Sequence, residues 1–106
     1  VVELRAFTDR QGRQPFEDWL SGLDEIALRR VKVVLSRMKD GNFSNIKGLG
    51  GGLLEYRLQF GPGYRIYFGR DGQALVILLA GGIKASQHRD IRKARAMWRD
   101  YKNRKH

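Results

Sequence analysis

The sequence predicts an α+β domain, a mainly antiparallel sheet with helices packed on it. Two adjacent stretches alternate like half-buried strands. Leu54, Tyr56, Leu58 and Phe60 interleave with Glu55, Arg57 and Gln59, and Tyr64, Ile66 and Phe68 interleave with Arg65 and Tyr67. Ala74 to Ala80 is apolar on both alternate sets. A strand of that kind is covered on both sides and belongs in the sheet interior. Around Trp19, Val31 and Ala94 the apolar residues recur at helical spacing instead.

In chain order, Val1 to Phe7 reads as a short strand, and Thr8 to Gln14 as a turn around Gly12. Pro15 suits the first position of a helix whose apolar side is Phe16, Trp19, Leu20 and Leu23, ending near Ser21-Gly22. Asp24 suits the N-cap of a second helix, with Ala27, Leu28, Val31, Val34, Leu35 and Met38 inward and Gly41 as its stop. Asn42 to Gly52 reads as a flexible, glycine-rich connector. It lacks the Gly-Lys-Ser/Thr ending of a P-loop.

The two alternating strands form a hairpin. A three-residue Gly61-Pro62-Gly63 loop sets Phe60 against Tyr64, Leu58 against Ile66 and Tyr56 against Phe68. One face is then core, covered by the helices. The other carries Arg57, Gln59, Arg65 and Tyr67 as a basic, aromatic surface. After the apolar strand, Ser86 suits the N-cap of a last helix with Ile91, Ala94, Trp98 and Tyr101 inward and a frayed tail beyond Tyr101. The expected order is β-α-α-β-β-β-α in a single domain over residues 1–106.

Lys and Arg number 21 against 11 Asp and Glu, a net charge of +10. That excess predicts a polyanionic partner, nucleic acid first and an acidic protein segment second, against the blander reading of a solvated basic surface. No apolar run is long enough to span a membrane and no stretch reads as a signal peptide, so a cytoplasmic location is expected. There is no cysteine, which excludes disulfides and thiolate metal sites.

No His, Asp and Glu cluster has metal-ligand spacing, so neither a metal nor another cofactor is expected. No nucleophile elbow or carboxylate pair is visible. The candidate chemistry is cationic. Arg57 and Arg65 share a face, and Lys84 lies in the loop leading into the last helix. Free amides at that helix start favour an anion, and Gly81 and Gly82 leave room for a phosphate. Lys47 lies where it can swing over the basic face. Of the two histidines, His88 is the candidate for proton transfer, a role that suits the histidine side chain, and His106 is terminal.

Three motifs now carry a resemblance. Glu55-Tyr56-Arg57, Gly61-Pro62-Gly63-Tyr64-Arg65-Ile66-Tyr67 and Gly82-x-Lys84-x-Ser86-Gln87-x-x-Asp90-Ile91 resemble the RelE/ParE toxin superfamily. The similarity is strongest to its HigB-like branch, the phage-derived addiction-module killer proteins, and extends to Pro15-Phe16-x-x-Trp19-Leu20. It implies a RelE-like fold and a type II toxin neutralised by a cognate antitoxin, a small helix-turn-helix protein. It also implies metal-independent cleavage of mRNA on the ribosome, in which the RNA 2′-hydroxyl attacks the adjacent phosphorus.

Under that resemblance Arg65 matches the arginine after Gly-Tyr, Arg57 a basic position on the preceding strand, and Lys84 one after the last core strand. With His88 these are the catalytic candidates. Lys47, Gln59, Tyr67, Gln87 and Arg89 are the RNA-binding candidates. Two departures stand out. Glu55 occupies a place where RelE-like nucleases often carry lysine, and a tyrosine some use near the last helix has no clear equivalent. Two other readings stay open: a ParE-like DNA gyrase inhibitor that cuts nothing, and a non-catalytic basic nucleic-acid-binding module.

Overall fold

The computed structural model describes residues 1–105. Pro15 opens α1 (Pro15–Ser21) and Phe16 anchors it in the core. Asp24 caps α2 (Glu25–Lys39), its side chain accepting from the Ala27 amide at 2.8 Å. Gly41, at φ 83°, ends that helix with its amide on the Met38 carbonyl, and the Asn42 amide reaches back to Arg37. The strands are β1 (Glu3–Ala6), β2 (Ile46–Gly48), β3 (Leu53–Arg57), β4 (Tyr64–Asp71) and β5 (Leu75–Ile83). A 3-10 turn, Lys84–Ser86, leads into α3 (Gln87–Lys105). No helix of the described residues is long and apolar enough to cross a membrane.

The five strands form one sheet in the order β1-β5-β4-β3-β2. Only β1 and β5 run parallel, so the sheet is mixed and mainly antiparallel. The doubly apolar β5 lies between β1 and β4, the interior position its composition demands. The expected element order lacked β2, which is three residues inside the glycine-rich connector.

Helices cover both faces, where sequence reasoning had put them on one. Phe16, Val31, Val34 and Met38 pack on Tyr56, Ile66, Phe68, Val76 and Leu78. On the reverse face Ala94 and Trp98 of α3 pack on Leu53, Tyr67, Ile77 and Leu79. The expected open polar surface is therefore roofed by α3. Tyr67 is fully buried under it rather than exposed.

Backbone approach is what permits this close layering. A Cβ on Gly81 would fall 2.1 Å from the Trp19 ring, one on Gly69 2.5 Å from Trp98, and one on Gly82 1.9 Å from the Asp90 carboxylate. Gly81 and Gly82 thus make room for the protein's own side chains, not for a phosphate.

Three other expectations are corrected. The β3–β4 register sets Tyr56 opposite Ile66 and Arg57 opposite Arg65, two residues away from the expected pairing. Leu58 bonds Tyr64, leaving Gln59 to Gly63 as the loop, with Gly61 and Gly63 both at positive φ. The connector is pinned rather than flexible. Arg95 donates to the carbonyls of Leu49 and Gly50, and the Trp98 indole and Lys102 donate to that of Gly51. The tail of α3 is tied down, with Arg104 on the Thr8 carbonyl and Lys105 on Asp71. His106 lies outside the described residues.

Gly81→Ala is expected to destabilise the fold by about 1–3 kcal/mol, because its methyl must displace Trp19. Gly48→Ala meets nothing within 4 Å and is the control. Thermal melts compare the two, and equal melting temperatures would refute the close-approach account.

Candidate functional site

The site is built where β3, β4 and the end of β5 meet the start of α3. Arg57 and Arg65 are directly opposed across the hairpin and share one face, as the alternation predicted. A register error of two residues moves partners but not faces, since side chains repeat every second residue. Lys84 follows β5, and its amide donates to the Pro62 carbonyl at 3.3 Å, tying the hairpin loop to the 3-10 turn. Its backbone is thereby used internally, so the site's charge comes from side chains.

Arg57, Gln59, Arg65 and Lys84 line one groove of about 490 Å³, walled by the loop from Phe60 to Gly63. Gly63 is the pivot. A Cβ there would lie 3.1 Å from that of Lys84 and 3.9 Å from Nη2 of Arg65. The turn's left-handed glycine, at φ 79°, therefore lets the stem of Lys84 and the Arg65 guanidinium approach the same backbone point.

Arg65 is the unusual member. It is only 7% exposed, and its Nε is buried with no hydrogen-bond partner. Among the described residues it forms no ion pair. A buried charged donor left unsatisfied is costly, and it retains the capacity to take an acceptor.

Beneath the groove lies a carboxylate that sequence reasoning noticed only as a departure. Glu55 is fully buried and accepts from Arg57 Nε at 2.8 Å and from Gln87 Nε2 at 2.9 Å. Burial works to raise its pKa. The bonds from Arg57 and Gln87 and the charges of Arg57 and Arg65 outweigh it and hold Glu55 below its ordinary 4.5. Its signal in the sequence was a lone acid two residues from Arg57 on a strand, hence on the same face.

Asp90 is also buried, its carboxylate accepting from the Ser86 hydroxyl. Ser86 itself lies in the 3-10 turn and bonds back to Ile83, so it joins turn and helix rather than standing as an isolated N-cap. Burial and the charges of Glu55 and Asp90 push the Tyr67 hydroxyl well above its usual pKa. That group stays protonated, close to the Glu55 carboxylate.

The remaining candidates are dispersed. Gln87 supports Glu55 from below instead of facing the groove. Lys47 is exposed on edge strand β2, opposite Glu55. His88 and Arg89 line a separate depression with Ser86 and Arg92, not the groove. No group of three or more His, Asp or Glu among the described residues is placed to hold a metal ion.

An alignment over 83 residues makes the chain 39% identical to an uncharacterised protein of Haemophilus influenzae, covering 77% of this chain and 84% of that one. The two proteins belong to one family. No protein-family model matches the chain. What can be said of function therefore rests on the groove.

Glu55 gives that groove a pH dependence. A carboxylate whose folded pKa lies below its unfolded value stabilises fully above about pH 4.5, and the contribution is lost as pH falls through the folded value. Glu55→Gln is expected to melt lower than the parent at pH 7, with the gap closing in acid. Melting curves between neutral and strongly acidic pH check this. A gap that stays constant in acid would remove Glu55 from the titrating groups.

Proposed function

We propose that this chain is the toxin of a type II toxin–antitoxin pair, of the HigB-like branch of the RelE/ParE superfamily. Its activity is metal-independent, ribosome-dependent cleavage of mRNA in the cytoplasm. The observation that carries the reading is Arg65, a mostly buried cation without a carboxylate partner, opening on a groove that Arg57 and Lys84 also line. Such an arrangement is complementary to a phosphate.

In the proposed reaction the RNA 2′-hydroxyl gives up its proton as its oxygen attacks the adjacent phosphorus. The bond to the 5′-oxygen breaks, a cyclic phosphate forms, and the leaving oxygen takes a proton. Negative charge grows on the non-bridging oxygens. Arg65 and Lys84, converging around Gly63, supply fixed positive charge to them, and Arg57 adds a third cation steadied by Glu55. A low-dielectric setting around Arg65 strengthens that interaction relative to water. His88 serves proton transfer in this scheme only by way of substrate or ribosome, because it does not line the groove.

That separation favours a second reading. A groove lined by cations, with no His, Asp or Glu of the described residues in its lining, also suits a ParE-like toxin that binds DNA gyrase and cuts nothing. A purified translation extract and a supercoiling assay distinguish the two. Truncated mRNA supports the nuclease, and inhibited supercoiling supports the gyrase inhibitor. In either case an acidic or amphipathic segment of a helix-turn-helix antitoxin is the proposed partner, drawn by the net charge of +10.

Arg65→Ala tests the site. If Arg65 acts on charge that is complete only in the transition state, its loss should slow cleavage on the order of 10²–10³-fold. Burial makes this variant a risk to the fold, contrary to the small stability effect expected of an exposed residue. Arg65→Lys keeps the charge without the planar fork and is expected to fold and remain much less toxic. Growth arrest on induced expression is read beside a thermal melt. A folded Arg65→Lys or Arg65→Ala protein as toxic as the parent would refute the assignment, as would cleavage abolished by EDTA.

A further inference from the structure

A second depression of about 320 Å³ runs on from the groove along α2. The two share Arg57, Leu58, Gln59 and Phe60, so they adjoin around the hairpin loop as the two halves of a channel. Arg30 and Arg37 stand over the new half, about 10 Å apart along the helix at 1.5 Å per residue. Among the described residues no Asp or Glu lines either half. Neither Arg30 nor Arg37 has an ion pair among the described residues.

The apolar content of the channel is equally specific. Val33, between the two arginines on the same helix face, is 51% exposed. The Arg30 guanidinium lies 4.2 Å from the centroid of the half-buried Phe60 ring, which also stacks on Tyr64. The amides of Asn45 and Gln59 complete the lining.

The geometry points to a binding path for single-stranded RNA, leading from the Arg65 phosphate site past Phe60 and along α2 between Arg30 and Arg37. This path rests on the RNA reading of the site. Spaced cations suit successive phosphates, whereas the exposed Val33 and the rim of the half-buried Phe60 suit unstacked bases. The amides separate RNA from an acidic peptide. Each both donates and accepts, as base edges require, whereas carboxylates accept only. The path also explains why α2 exposes valine beside arginine when its buried stripe is complete without it.

The test uses the full chain and fluorescence anisotropy with a tetranucleotide and a dodecanucleotide of RNA. Arg30→Gln and Arg37→Gln are made together, since both side chains are exposed and their loss should spare the fold. The expected result is a dodecanucleotide affinity reduced about tenfold or more. The slope of log affinity against log salt should fall by about 1.4, two phosphate contacts at about 0.7 each for a single strand. Tetranucleotide binding, confined to the Arg65 end, should change less than about twofold.

Undiminished dodecanucleotide binding by the double variant would overturn the path. So would polyglutamate displacing the dodecanucleotide at equal charge concentration, which would assign the channel to an acidic protein. Failure of the nuclease reading is separately visible. RNA binding lost in the double variant, while folded Arg65→Ala stays toxic, supports the path and removes only the cleavage chemistry.

Discussion

The buried carboxylate of Glu55 is the interaction on which the site depends. It joins β3 to α3 by accepting from Arg57 on one oxygen and Gln87 on the other. Without it Arg57 would lose its ion-pair partner and Gln87 its acceptor at the start of α3. Glu55 also sets which arginine is spent and which is free. Arg57 is paired, although it remains 40% exposed, while Arg65 across the hairpin is not. A buried acid is stable as an anion only when enough donors surround it, and here Arg57, Gln87 and the field of Arg65 suffice.

The fold class was legible because it follows from patterning. Two alternating strands, one doubly apolar strand and three helical stripes leave few arrangements for so short a chain. The face shared by Arg57 and Arg65 was legible for the same reason, since it depends only on the parity of their separation. The exact register was not. It turned on whether Gln59 and Phe60 belong to the strand or the loop. Their alternation continues the strand, but two left-handed glycines, Gly61 and Gly63, widen the turn and take both residues into it.

The second helical layer was half legible. A strand as apolar on both faces as β5 requires cover on both sides, and α3 was the one element left to supply it. What hid this was the polar alternation of β3 and β4, where Glu55, Arg65 and Tyr67 resemble a solvent face. They are buried beneath α3, with Glu55 held by Arg57 and Gln87, which no single-strand pattern reveals. Glycines in β4 and β5 gave a further signal. At Gly69, Gly81 and Gly82 a side chain of a helix takes the space that a Cβ would occupy.

The net charge, read from composition as one basic surface, divides by location into structural and free cations. Arg95 and Lys102 hold the glycine-rich connector, and Arg104 and Lys105 fasten the end of α3. Arg5, Arg10, Arg13 and Arg29 are each matched to a nearby carboxylate. Surface pairs of this kind contribute little stability, but they quench local positive potential. Arg30, Arg37, Arg65 and Lys84 differ in facing one concave channel that no carboxylate lines. A concave, low-dielectric wall focuses the field of such charges, so their effect on an approaching polyanion exceeds what the same number scattered over the surface would give. The two depressions, rather than the total charge, are therefore where the positive potential of this surface is concentrated.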